Sequence, residues 1–363
     1  MALTLHGTVA DNTAVLSRQN ANPLIINGNM RVKQRGDDIT GITTGGFYSI
    51  DRMKVDLSDG GTWTHSQDTD NPGLGLTRSW KLNCTTADTS VAANTYHVAR
   101  YLFEGQDLQL LDKGTSAAQA VTIAFWIKAT VTGTYIAELY DVNNDRQISQ
   151  AYTVSNSNTW EKKVLSFAGD TTGALTNGSS SSFSINLWLS AGSNFTSGTL
   201  NTTWAGLNHA NRVVGQVNSA SSTSNNVYFT GLQMEVGEFD ANSIAPFQHE
   251  SFGDNLARCQ RYFQKYTQPP LIGSANANNS VARASIGLFP VQMRAAPTAS
   301  QSGTFTWFYS NSHQPTSTAL AASYTDVDGA EFDITVSGTG MTATHPCSVI
   351  QNGSGFLQFE AEL

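Results

Sequence analysis

Residues 227–266, VYFTGLQMEVGEFDANSIAPFQHESFGDNLARCQRYFQKY, decide how the chain is read. Val227–Val236 alternates with period 2. Tyr228, Leu232, Met234 and Val236 fall on one side and Gly231, Gln233 and Glu235 on the other, which predicts a half-buried strand. A crossing segment with Pro246 follows. From Ser251 to Tyr266 the apolar spacing turns helical, with Leu256, Cys259, Tyr262, Phe263 and Tyr266 on one stripe and Arg258, Arg261 and Lys265 outside it. Asp254 is the expected N-cap, and Pro269-Pro270 forbid continuation. The last strand of one β-domain therefore runs into a short helix that opens a second domain.

Upstream, short strands alternate with turn residues. Thr62–His65, Thr77–Leu82, Val98–Leu102, Val121–Ala129, Thr134–Tyr140, Trp160–Phe167 and Phe183–Ser190 read as strands, separated by turns such as Asp59-Gly60-Gly61 and Asn71-Pro72-Gly73. Downstream, Val281–Phe289, Gly303–Ser310, Glu331–Val336, Met341–Thr344 and Gly355–Glu362 do the same. The predicted class is all-β. A jelly-roll β-sandwich over 23–249 is followed by a short linker helix within 250–269 and a second, smaller C-terminal β-domain over 270–363. Residues 1–22 are polar, without a period, and are expected to be an attachment arm that orders on a partner.

Of the 363 residues, 13% are charged, against about 25% in an ordinary soluble domain. Ser, Thr, Asn and Gly take their place, so binding should be short-range and polar. The formal charge of −8 opposes general nucleic-acid binding. Residues 1–36 carry Arg18, Arg31, Lys33 and Arg35 against Asp11, net +3, which leaves −11 for the rest and suits docking of the start onto an acidic partner. The three cysteines, Cys84, Cys259 and Cys347, make no pairing framework and read as small buried hydrophobes. The start has no basic n-region and no long apolar run, so the expectation is a protein made in a cytoplasm, neither exported nor inserted in a membrane.

The stretch 227–266 also resembles a segment of tailed-phage fibre and appendage (receptor-binding) proteins: a strand, then Gly-x-Gln-x-Glu-x-Gly, Pro-Phe, and Ser-x-Gly-Glu/Asp-x-Leu-x-x-Cys-Gln-Arg-Tyr. Gly231, Gln233, Glu235, Gly237, Pro246, Phe247, Ser251, Gly253, Asp254, Leu256, Cys259, Gln260, Arg261 and Tyr262 match it. Ile26-Asn27-Gly28-Asn29-Met30 with Gln34-Arg35-Gly36 and Asp51-Arg52 looks like that family's entry segment. Phe289–Pro297 looks like its later linker, and Gly355–Leu363 like its closing strand. The resemblance spans residues 23–363. It implies a virion protein on the tail or capsid surface, a homotrimer, and attachment to other virion proteins through the arm. The family is defined by architecture, so it implies no single ligand.

Asp68, Asp70, Glu104, Asp107, Glu138, Asp141 and Asp145 are scattered, with no pair in the apolar setting a glycosidase acid needs. There is no Gly-x-Ser-x-Gly elbow and no phosphate loop. The seven histidines show no metal spacing. Asp141, Asn143 and Asp145 bring oxygens close together, but lack the later Gly and Glu of an EF-hand; a hairpin turn is the reading, with a structural Ca²⁺ as the alternative and no other cofactor expected.

The aromatics are the functional lead, because a sugar presents C–H faces to a flat ring and hydroxyls to amides and charges. In VTIAFWIKA, Trp126 and Lys128 sit on the polar side; in SFSINLWLS, Asn186 and Trp188 do. This strand type resembles those of carbohydrate-binding jelly rolls, which implies sugar stacking on a polar sheet face. Trp204 with Asn208 and His209, and Trp307 with Tyr309 and His313, are further candidates. Each ring has the alternative of being covered by a loop or a sister chain. The expected function is non-enzymatic attachment to host surface polysaccharide. The rival is a capsid decoration, head-fibre or connector protein in which those rings are interfaces.

Overall fold

A computed structural model of the chain describes residues 22–267, 271–275, 281–308, 316–317, 320–335 and 346–363. Apart from Asn22, the expected arm lies outside them, as do Tyr309, His313 and the strand expected over Met341–Thr344. The chain divides into two compact units, one ending at Asn255 and the other running from Leu256 to Glu362.

In the first unit the strands are β1 (Ile39–Ile42), β2 (Gly46–Phe47), β3 (Met53–Ser58), β4 (Thr62–Asp68), β5 (Ser79–Thr86), β6 (Tyr96–Glu104) and β7 (Val121–Ala129). They continue as β8 (Gly133–Asp141), β9 (Arg146–Val154), β10 (Glu161–Phe167), β11 (Ser181–Ala191), β12 (Ala205–Gly206) and β13 (Asn226–Val236). Six form a sheet in the order β1-β4-β5-β13-β7-β10, and seven a second in the order β12-β9-β8-β11-β6-β3-β2, every pair antiparallel. The unit is a jelly-roll sandwich, and the alternation in β7 and β11 shows why. Ile123, Phe125 and Ile127 meet Ile185, Leu187 and Leu189 in one continuous core, while the residues between them face outward.

Strand β13 departs from the simple period. Val227 and Phe229 enter the core, and so do Leu232, Met234 and Val236, which changes parity between Phe229 and Leu232. The cause is a bulge between Thr230 and Gln233 with Gly231 at φ 62, a conformation that favours glycine. Tyr228 is therefore on the outer face and not with Leu232, as a strict alternation would have it. A Cβ at Gly231 would lie 2.9 Å from Leu76 Cδ1 and 3.1 Å from Trp126 Cδ1, so the bulge also lets these two side chains close over the strand.

The entry motif is a buried polar knot. Asn27 Nδ2 donates to the carbonyls of Val32 and Asp51, its Oδ1 accepts from Val32 N, and its backbone N donates to Asn255 Oδ1. Asn255 Nδ2 reaches Asn29 Oδ1 at 3.2 Å. Gly28 O accepts from Leu232 N at 3.0 Å, an approach that a Cβ, 2.1 Å from Leu232 O, would block. Arg52 is fully buried, donates to Leu102 O and lies over Tyr101. Residues more than 200 positions apart are thus held together by hydrogen bonds between buried polar groups.

The helix spans Phe252–Gln260. Ser251 caps it: its Oγ accepts from Asp254 N and donates to the Asp254 carboxylate, so Asp254 is the third helical residue and not the N-cap. The helix is shorter than its sequence stripe. Phe263 and Tyr266 belong to β14 (Phe263–Thr267), which pairs with the closing strand, Phe263 opposite Glu360. Aromatics suit a strand better than a helix end, and the waiting edge of the closing strand takes their backbone groups. Cys259, Tyr262 and Phe263 are buried, Leu256 and Tyr266 half-buried.

The second unit continues with β15 (Leu271–Ala275), β16 (Val281–Leu288), β17 (Thr298–Phe308), β18 (Thr316–Ser317), β19 (Leu320–Asp326), β20 (Gly329–Thr335) and β21 (Pro346–Glu360). Their order is β18-β17-β21-β15-β16-β20-β19, around a core of Leu271, Phe289, Phe305, Phe332, Leu357 and Phe359. Cys84 and Cys259 are buried. Among the described residues no helix is long and apolar enough to cross a membrane.

Candidate functional site

The outer face of the six-stranded sheet carries Trp126. On β7 it stands opposite Thr230 of β13 and opposite Lys162 of β10. The loop after β4 brings Leu74 and Leu76 to one side, and the segment after β13 brings Ile244, Pro246, Phe247 and His249 to the other. Together with Gly231, Gln233 and Lys162 they enclose a cleft of about 500 Å³. Leu74 is 74% exposed at its rim. Gly75, at φ 82, leaves room for the His249 ring, which meets the Phe247 ring edge-on at 5.0 Å. Gln233 Nε2 donates to Ala245 O at 2.9 Å and clasps the crossing segment to the sheet. Half-buried Trp126 is thus a flat apolar wall in a cleft with an amide, an ammonium and an imidazole around it.

Beside the cleft, Lys128 stands opposite Tyr228 and its ammonium lies 5.0 Å from the Tyr228 ring centre. Lys81 lies over the same ring at 5.3 Å and pairs with Asp68 at 3.3 Å. Lys128 pairs with Asp70, which also accepts from Trp160 Nε1 at 2.8 Å. Burial would raise the Asp70 pKa, but the hydrogen bonds from Lys128 and Trp160 outweigh it and hold the carboxyl below its usual value. Asp70 is an anchored anion.

The other candidates separate. Asn186 and Trp188 are on β11, in the seven-stranded sheet, so they occupy the opposite outer face from Trp126 and Lys128. That face is covered. Trp188 is 1% exposed and packs with Val98, Ile136 and Val213, with Phe195 and Leu200 of the 192–217 segment against them. Arg212 of that segment makes a two-bond pair with the Glu138 carboxylate at 2.7 and 2.8 Å, and Asn186 Nδ2 and Trp188 Nε1 donate to the same carboxylate. Arg212 also lies 5.0 Å from the Trp188 ring centre. Trp188 and Asn186 are therefore structural, and the expectation of sugar stacking there is corrected: alternation marks a residue as outward, not as exposed.

Trp204 is half-buried in the wall of a second, more polar cleft of about 600 Å³, with Arg146, Gln150, Asp170 and Thr172 among its other walls. Its Nε1 donates to Ala168 O, and the Lys113 ammonium lies 5.4 Å from its ring centre. Asn208 and His209 are not in this cleft. Asn208 caps a short turn by accepting from Ala210 N, and His209 meets the Phe195 ring edge-on at 5.8 Å. Trp307 is on β17; its side chain, with Tyr309 and His313, lies outside the described residues.

The Asp141–Asp145 loop is the β8–β9 hairpin. Asp141 accepts from the backbone of Asn143 and Asn144, from Asn144 Nδ2 and from the Lys113 ammonium. Asn143 Oδ1 accepts from Thr176, and Asp145 from Tyr140. These oxygens turn to protein donors rather than to one point. Among the described residues no group of three or more His, Cys, Asp and Glu side chains is placed to hold a metal.

Lys162, His249 and Phe247 were not singled out as site residues from the chain. Lys162 carries a weak signal, since it falls on the Trp126 side of β10, but pairing it with β7 requires the sheet order.

No family model matches the sequence, and no curated protein matches it. Solved structures similar to it include the enzymatically active domain of tailspike protein 4 of bacteriophage CBA120, at 11% identity and TM-score 0.30, covering 59% of this chain and 21% of that one. The family 11 carbohydrate-binding module of Clostridium thermocellum, in complex with a mixed-linked tetrasaccharide, matches at 10% identity and TM-score 0.28, covering 56% and 98%. The family 30 module of a cellulosomal cellulase of the same organism matches at 12% and 0.27, covering 57% and 98%.

Proposed function

We propose that the protein is a non-enzymatic component of a tailed-phage particle, a tail fibre or receptor-binding appendage, that holds a host surface polysaccharide in the Trp126 cleft. The observation that carries the binding reading is the half-buried Trp126 ring in a 500 Å³ cleft edged by Gln233, Lys162 and His249. An indole stacks on the C–H face of a sugar ring while the polar groups take its hydroxyls. Four residues of the appendage-like segment, Gly231, Gln233, Pro246 and Phe247, line this cleft. Placement in a virion and the homotrimer rest on the sequence resemblance, and the arm on the polar, aperiodic composition of residues 1–22. Each site is weak by itself, and copy number converts many weak contacts into attachment.

The test is retention of host surface polysaccharide by the wild-type protein and by Trp126→Ala and Trp188→Ala. Loss of one stacked ring face, at roughly 25 cal/mol per Å² of apolar surface, should weaken a site by about tenfold. Trp126→Ala is expected to do this with an unchanged melting temperature. Trp188→Ala is expected to lose roughly 3–5 kcal/mol of stability instead. Undiminished binding by Trp126→Ala, or no polysaccharide bound by the intact protein, overturns the reading and favours a purely structural decoration or connector subunit.

A further inference from the structure

We infer that the sugar taken by the Trp126 cleft carries a carboxylate, and that Lys162 is the cation that receives it. This rests on the glycan reading of the cleft and names its ligand class, a uronic-acid polysaccharide.

Two acid–base pairs on this face are already made. Asp68 is paired with Lys81, and Asp70 with Lys128 and Trp160. Lys81 and Lys128 are also committed to the Tyr228 ring. Lys162 stands directly across from Trp126 in the β7–β10 register and lines the same cleft. Among the described residues no carboxylate or hydrogen-bond acceptor acts on it, desolvation being its sole perturbation. Lys162 is exposed at the cleft mouth, and where its side chain lies against the wall desolvation lowers its pKa. His249 lines the same cleft.

A sugar acid meets this geometry with two different edges. Its ring face covers the indole and its C6 carboxylate meets the ammonium, a charge-assisted contact stronger than a neutral one. A single ammonium balances a single carboxylate, whereas a phosphate monoester, with up to twice the charge, calls for more than one cation. The formal net charge of −8 opposes a polyanion at long range. That repulsion is screened beyond about 10 Å at 0.1 M salt, so the contact acts at short range.

The experiment uses the full-length protein and matched polymers: polygalacturonate, alginate and hyaluronan, each beside its carboxyl-reduced form, in which the acid has become a neutral alcohol. Wild type, Lys162→Gln, Lys162→Arg and Trp126→Ala are compared, with melting temperatures as a check on folding. The expected result is roughly tenfold stronger retention of at least one acid polymer over its reduced form. Lys162→Gln should bring the two forms to the same retention, and Lys162→Arg should keep the difference. No preference for any acid form, or a preference that survives in Lys162→Gln, overturns the inference. If both forms bind equally and Trp126→Ala weakens both, the cleft remains a glycan site and only its charge selectivity is lost. If no polymer of either kind is retained, the glycan reading fails with it.

Discussion

His65 of β4 and His97 of β6 make acid stability a direct test of the sandwich core. Both rings are fully buried, stacked at 6.4 Å with planes 2° apart, and neither ring nitrogen of either has a hydrogen-bond partner. Aromatic neighbours close the site: Tyr48 and Trp80 around His65, Trp63 on His97. Burial lowers the His65 pKa to about 3, and burial together with the facing His65 sets that of His97 well below its ordinary value. As pH falls through about 6.5 the unfolded chain takes up these protons and the folded chain does not, so stability is kept above 6.5 and lost progressively below it. At about 1.36 kcal/mol per pH unit, going from pH 6.5 to 4.5 removes roughly 2.7 kcal/mol through His65 alone, and His97 acts in the same direction. Asp70 and Asp170 are held below their usual values, so their contributions are lost mainly below about pH 4, and that of Glu161, also held low, begins to fall only at the acid end of this window. Urea midpoints read by tryptophan fluorescence at pH 8, 6.5, 5.5 and 4.5 measure the slope. His65→Leu, which removes no hydrogen bond, should flatten it. A wild-type midpoint unchanged from pH 6.5 to 4.5, or an equal slope in His65→Leu, would refute the reasoning.

Three further outcomes follow from particular contacts. Arg212→Met strands the buried Glu138 carboxylate and should cost roughly 3–5 kcal/mol in urea unfolding, while adding Glu138→Leu should recover much of it. A double variant no more stable than Arg212→Met would show that the pair is not the unit that holds the 192–217 segment. Gly231→Ala places a Cβ at φ 62 and within 3.1 Å of Trp126 Cδ1, so it should cost about 1–2 kcal/mol and also weaken polysaccharide retention. Unchanged stability and retention would argue against the bulge setting the cleft. Asn255→Ala removes the acceptor of Asn27 N and a donor to Asn29, with an expected loss of about 1–3 kcal/mol by thermal or urea unfolding; a neutral result would mean that water replaces it.

Much of the first unit was legible because its information is local. The period-2 runs of β7 and β11 assign each side chain to the inside or the outside whatever the partner strand, and the dearth of charge marks a surface that binds at short range. Turn residues located the strand ends for the same reason. The readings that shifted did so at non-local contacts. Phe263 and Tyr266 keep helical spacing in the chain but lie on a strand because the closing strand, some ninety residues on, offers an edge. Tyr228 changed faces because a single glycine at positive φ reverses the parity of everything before it.

What the sequence determined by itself was the all-β class, the order of most strands, and that Trp126, Trp188 and Lys128 point away from the core. Only the tertiary structure decided which of those outward rings is left uncovered. The 192–217 segment closes over Trp188, because Arg212 neutralises Glu138 there, while the loops around Leu74 and Phe247 stand apart and leave a cleft at Trp126. The physical reason is that inward or outward is a property of one strand, whereas exposure is a property of every segment that passes over it.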